Sequence, residues 1–124
     1  MPTSFSFGSR LKSVGYAAAG IVELVLSQHN AWIHLIATLM VVLAGLFFGV
    51  KQLEWCLLVF AIMAVWLAEG LNTALEFLCD AVTHDFHPLI KKSKDVAAGS
   101  VLLTAMGAVI VGLIIFLPYL SASL

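Results

Sequence analysis

The stretch AEGLNTALEFLCD, Ala68 to Asp80, sets three carboxylates and an asparagine inside one of the most apolar regions of the chain. On a helix turning ~100° per residue, Glu69, Asn72, Glu76 and Asp80 fall at about 0°, 300°, 340° and 20°, a single narrow face. At a rise of ~1.5 Å per residue that stripe is ~16 Å long. A carboxylate at the centre of a bilayer costs ~2.5 to 3.5 kcal/mol, and less near an interface. Three acids kept in such a setting must be neutralised or used, by a divalent cation, by a proton or by basic groups from elsewhere. One isolated polar residue would read as a bond between helices, whereas four in line read as a site.

The following segment, HDFHPLIKKSKD, supplies charges of the opposite sign. It carries His84, Asp85, His87, Lys91, Lys92, Lys94 and Asp95 between two apolar runs. Lysines beside acids suit a magnesium-bound polyphosphate, because magnesium takes oxygen ligands and shares them with substrate phosphates. Lys91 and Lys92 are also accounted for by membrane topology alone. Lys94 stands apart: Asp95 follows it directly at the start of an apolar, small-residue helix, which Asp95 is placed to cap. His84 and His87 are spaced like a metal pair, but no cysteine or third histidine nearby supports zinc, so interface or nucleotide contacts are expected. His29 and His34 read as interface residues near the start of the first apolar run.

The elements that must hold these groups follow from hydropathy. With 62% hydrophobic and 10% charged residues and a mean hydropathy of +1.08, the 124-residue chain has the composition of an integral membrane protein. Apolar runs at about 31–50, 53–82 and 96–120 each reach the ~20 residues that an α-helix needs to cross a ~30 Å hydrocarbon layer. A β-barrel would instead alternate over segments of about ten residues. The expected fold is all-α, with three spanning helices. Residues at about 4–26 mix Arg10, Lys12 and Glu23 with Phe5, Phe7, Leu11, Val14 and Ile21, the pattern of an amphipathic helix lying in the membrane surface.

Orientation follows from the basic residues. With Arg10 and Lys12 cytoplasmic, three crossings return Lys91, Lys92 and Lys94 to the same side and leave Lys51 opposite, as the positive-inside bias requires. The N-terminus is then cytoplasmic and the C-terminus faces outward. No short apolar core with a small-residue cleavage site marks a secretory signal. A net charge of −1 offers no basic surface for nucleic acid, and the absence of repeats or linkers predicts one domain over 1–124. Cys56 and Cys79 form no CxxC pair and read as packing residues. Gly99, Ser100, Ala105, Gly107, Ala108 and Gly112 would let helices approach closely, so oligomerisation is expected.

Taken together, RLKSVGYAAAGI, NAWIH, EGLNTALEFLCD, KKSKDVAAGSVLL and GLIIFLP resemble the prokaryotic diacylglycerol kinase and undecaprenol kinase family, from about Arg10 to Pro118. The specific element is E-x-x-N-[ST]-A-x-E followed by K-D and a small-residue helix. The resemblance implies a homotrimer of three-helix subunits in the bacterial inner membrane, each with a surface helix, and active sites between subunits at the cytoplasmic interface. It implies transfer of the ATP γ-phosphate to the hydroxyl of a membrane lipid alcohol, diacylglycerol or undecaprenol, with magnesium. Carried onto matching positions, Glu69 is the general base, Asn72 orients the hydroxyl or Glu69, Glu76 is a magnesium ligand, Lys94 offsets phosphate charge and Asp95 fixes the nucleotide. Arg10, Tyr16, Asp85 and His87 match nucleotide-binding positions. Where the family has glutamate in ExNxxxH, this chain has QHNAWIH, so Gln28 would share the metal with Glu76 through a neutral carbonyl oxygen. The pattern EW at Glu54 and Trp55 leans toward the undecaprenol branch.

Two other classes compete. Gln28 is the one feature favouring a family member that binds lipid or nucleotide without turnover. Bare intramembrane acids at Glu69, Glu76 and Asp80 would also line a small proton or cation pathway, against which the Lys94–Asp95 pair argues for phosphate chemistry.

Overall fold

The structure, a computed structural model, describes residues 4–124 and contains four helices and no strand among them: α1 (Phe7–Ser27), α2 (His29–Phe48), α3 (Gln52–Val82) and α4 (Pro88–Ser123). The last three are each long and apolar enough to cross a membrane. At ~1.5 Å per residue, the 31 residues of α3 and the 36 of α4 run well past a ~30 Å hydrocarbon layer, so both helices have turns to spare beyond it. The expected all-α architecture is therefore present. The helix that carries the third apolar run begins at Pro88, two turns ahead of the run's start near residue 96.

Local chemistry explains that early start. Pro88 occupies the first turn of α4, where its missing N–H costs no intrahelical bond, and His87 caps the helix by accepting the Leu89 N–H on Nδ1 at 3.1 Å. Asp95 is consequently not the cap expected of it. It lies inside α4, where its carboxylate accepts from Lys91 Nζ at 2.7 Å, one turn back.

The other helix ends are equally local. Ser6 caps α1 by accepting the Ser9 N–H. Extended Gln28 both ends α1 and begins α2, with no capping bond from its side chain. Between α2 and α3, Gly49 takes a left-handed conformation (φ 62°, ψ 48°) that glycine adopts without a Cβ clash. Glu54 then steadies the start of α3 by accepting the Lys51 N–H at 2.9 Å.

The tightest packing lies at this Gly49 end. Val50, Leu58 and Ile115 form a buried cluster, covered by Val41, Phe48, Trp55, Val111, Phe116 and Tyr119. Gly45 lets the Trp55 indole lie directly on α2: a Cβ there would meet Trp55 Cη2 at 2.5 Å. The Tyr119 hydroxyl donates to the Glu54 carboxylate and so ties α4 to α3. Elsewhere the helices leave most of their apolar surface uncovered, only 6% of the most apolar window of α4 being buried. That surface is the counterpart of lipid or further subunits.

Candidate functional site

The polar stripe of α3 runs from a buried part to an exposed end. Glu69, Asn72 and Thr73 are buried, Glu76 is half-buried and Asp80 is exposed. Glu69 is only 1% exposed, the one large side chain enclosed almost completely among the described residues. Asn72 Nδ2 donates to Glu76 Oε1 at 3.4 Å, so helical spacing turns these two into a connected pair. Glu69 Oε2, Asn72 Oδ1 and Thr73 Oγ1 are buried without a hydrogen-bond partner. Unpaired polar atoms at such depth are expensive, and these three fall on one stretch of helix.

The walls around the stripe come from three helices. On one side α1 packs over α3 at Gly70, where a Cβ would lie 3.6 Å from Leu24 Cδ2, at ordinary contact distance. Ala17, Gly20, Glu23 and Leu24 share a cleft of about 410 Å³ with Gly70, Thr73, Ala74 and Phe77. On the other side Leu71, Asn72 and Leu75 face Ala97, Ser100 and Thr104 of α4 across a groove of about 470 Å³. Near Trp66, an apolar cavity of about 860 Å³ opens among Ile21, Leu24, Leu35, Phe60 and Met63.

At the exposed end, Lys94 Nζ lies 3.4 Å from Asp80 Oδ1. Asp80, which the sequence left without a role, thus holds the ammonium beside the stripe. Thr83 and His87 shape the connection, Thr83 Oγ1 accepting the Asp85 N–H at 3.0 Å. Arg10 lies over the Phe5 ring, 5.7 Å from its centroid, and Tyr16 is exposed on α1. Among the described residues, Arg10, Tyr16, Asp85 and His87 make no hydrogen bond or ion pair with Glu76, Lys94 or Asp95.

Sequence reasoning missed His34. Read as an interface residue, it instead brings Nε2 to 3.3 Å from Glu69 Oε2, with its side chain 15% exposed. Its place one turn inside α2 puts it on the helix that hairpin topology pairs with α3, but does not give the rotation that turns it toward Glu69.

Glu76 and the unpaired Asn72 Oδ1, one turn apart on α3, present oxygens, the ligand type magnesium prefers, whereas the side chain of Gln28, at the α1–α2 junction, makes no hydrogen bond with either. No cluster of three histidine, cysteine, aspartate or glutamate side chains able to hold a metal occurs among the described residues. A cation here therefore needs oxygens from a bound phosphate or water to complete its shell.

Comparison with known sequences adds a separate line of evidence. The profile of the prokaryotic diacylglycerol kinase family matches residues 15–116. The chain is 38% identical over 109 residues to the undecaprenol kinase of Bacillus subtilis (strain 168), covering 88% of this chain and 89% of that protein. It is 39% identical over 109 residues to the diacylglycerol kinase of Synechocystis sp., covering 87% of this chain and 62% of that longer protein. Against the diacylglycerol kinase of Escherichia coli (strain K12), identity is 30% over 105 residues, 81% of this chain and 82% of that protein.

Proposed function

The chain belongs to the prokaryotic diacylglycerol kinase family, and from that premise we propose that it is a membrane lipid kinase transferring the γ-phosphate of ATP to the hydroxyl of a lipid alcohol. The observation that carries the proposal is the continuity of the α3 stripe. A buried carboxylate at Glu69 runs through Asn72 and Glu76 to a lysine at the exposed end of the same helix pair.

Each group then has a task. Glu69 takes the proton of the lipid hydroxyl as its oxygen attacks the γ-phosphorus, the bond from that phosphorus to the β–γ bridging oxygen breaks, and ADP leaves. Burial shields the carboxylate from water, which would otherwise compete as acceptor. Asn72, one turn along, orients the hydroxyl or Glu69. Lys94 exchanges its partner Asp80 for phosphate oxygens and offsets charge in the transition state. Asp95 fixes the nucleotide, with Arg10, Tyr16, Asp85 and His87 contributing from α1 and the α3–α4 connection. Glu76, with Gln28, would hold magnesium, which when bound neutralises phosphate charge.

The reading extends to assembly and placement. The single domain acts as a homotrimer, whose contacts cover part of the bare apolar surface of α4 and complete active sites between subunits. The sites open at the cytoplasmic face of the bacterial inner membrane, with the N-terminus on that side, as the distribution of lysines and arginine supports. Undecaprenol is the first substrate to test and diacylglycerol the second. Purified protein in detergent with labelled ATP, magnesium and both lipids decides the matter: label should enter a lipid, and Glu76→Gln should suppress it. ATP binding without lipid labelling would overturn the kinase reading.

A further inference from the structure

Glu69 presents a problem that its own helix does not solve. Its Oε2 is buried without a hydrogen-bond partner, yet the group is nearly inaccessible to water. His34 Nε2, reaching from α2, stands 3.3 Å away, close enough for a small rotation of either side chain to align it.

That imidazole is itself held in place. Its ring meets Trp66 edge to face, centroids 6.2 Å apart at 67°. Trp66 Nε1 donates to Thr38 Oγ1 at 3.0 Å, and Thr38 Oγ1 donates to the His34 carbonyl at 2.7 Å. Trp66 lies one turn before Glu69 on α3, and Thr38 one turn after His34 on α2. The result is a closed polar circuit between two helices, with the His34–Glu69 contact at its head. Nothing about packing two apolar helices requires four polar groups in this arrangement.

We infer that His34 is a positioning residue for the phosphoryl transfer, holding one oxygen of the Glu69 carboxylate so that the other faces the lipid hydroxyl. The ring acts through Glu69 and touches neither lipid nor nucleotide. The inference rests on Glu69 being the base, and the test must separate the two claims.

Four variants do so: His34→Leu, His34→Gln, Glu69→Gln and the His34→Leu/Glu69→Gln double variant, purified in detergent and assayed with ATP and undecaprenol or diacylglycerol. Helicity and oligomeric state are checked for each. His34→Leu should lower kcat about 10- to 100-fold, the scale of a misoriented catalytic group, while KM for ATP stays within about two-fold. His34→Gln, which keeps a donor at similar reach, should recover most of the loss. The double variant should be no slower than Glu69→Gln alone, because the two residues act as a unit. Wild-type kcat in His34→Leu together with an inactive Glu69→Gln would overturn the inference and leave the base intact. A fully active Glu69→Gln would overturn both. Should His34→Leu fail to fold, the contrast between His34→Gln and the shorter His34→Asn decides: equal rates in these two overturn the inference, and a slow His34→Asn beside a near-normal His34→Gln supports it.

Discussion

Replacing Gly45 with alanine should destabilise the helix bundle without touching the site. The added Cβ would lie 2.5 Å from Trp55 Cη2, 2.8 Å from Cζ2 and 3.1 Å from Cζ3. Ordinary contact begins at 3.4 Å, so the indole or the helix must retreat by about 0.9 Å, the difference between 3.4 and 2.5 Å. Trp55 has little room to do so, because it covers the cluster of Val50, Leu58 and Ile115 and adjoins Glu54, the partner of Tyr119. Overpacking of this kind costs about 1 to 3 kcal/mol. The assay is reversible unfolding in mixed detergent micelles, with lipid kinase activity measured per folded molecule. The midpoint should fall in Gly45→Ala, kcat should hold, and the penalty should largely vanish in a Trp55→Leu background, where no ring blocks the methyl group. A Gly45→Ala protein as stable as wild type, or an equal penalty with and without the indole, would refute the close-approach argument.

Further outcomes are expected along the chain. Lys94→Met should lower kcat/KM for ATP about 100-fold or more, as loss of a transition-state donor does, while the exposed ion pair it breaks with Asp80 changes stability by less than about 1 kcal/mol. Gln28→Glu should increase apparent magnesium or ATP affinity in steady-state titrations, since it restores a charged oxygen ligand; an unchanged titration means that Gln28 is not at the metal. Tyr119→Phe should reduce resistance to unfolding while leaving lipid phosphorylation per folded molecule unaltered, because its bond to Glu54 lies at the opposite end of α3 from Glu76 and Asp80.

Much of this fold can be read from periodicity and hydropathy, because crossing a bilayer forces both length and apolarity on a helix. The stripe of Glu69, Asn72 and Glu76 is visible for the same reason: polar residues stand out where the surroundings are oily, and 100° spacing gathers them on one face. The start of α4 was obscured by that very contrast. Lysines lower the hydropathy of its first turns, although Pro88 after a capping His87 carries the local signal of a helix start. Contacts between helices were less accessible. His34 gives no sign in sequence that it meets Glu69, since the pairing depends on how α2 and α3 are rotated against each other. Asp80 shows the same limit, because its partner Lys94 comes from across a turn whose geometry Thr83, His87 and Pro88 determine.

The central claim is that Glu69 is the base of a lipid phosphotransfer. Its most direct test is single-turnover transfer of labelled phosphate from ATP to undecaprenol or diacylglycerol by wild type and Glu69→Gln, with nucleotide binding measured on the same preparations. The account predicts label in the wild-type lipid, a rate lower by about 10² to 10⁴ in Glu69→Gln, and equal ATP binding by both. Transfer at the wild-type rate by Glu69→Gln would contradict it.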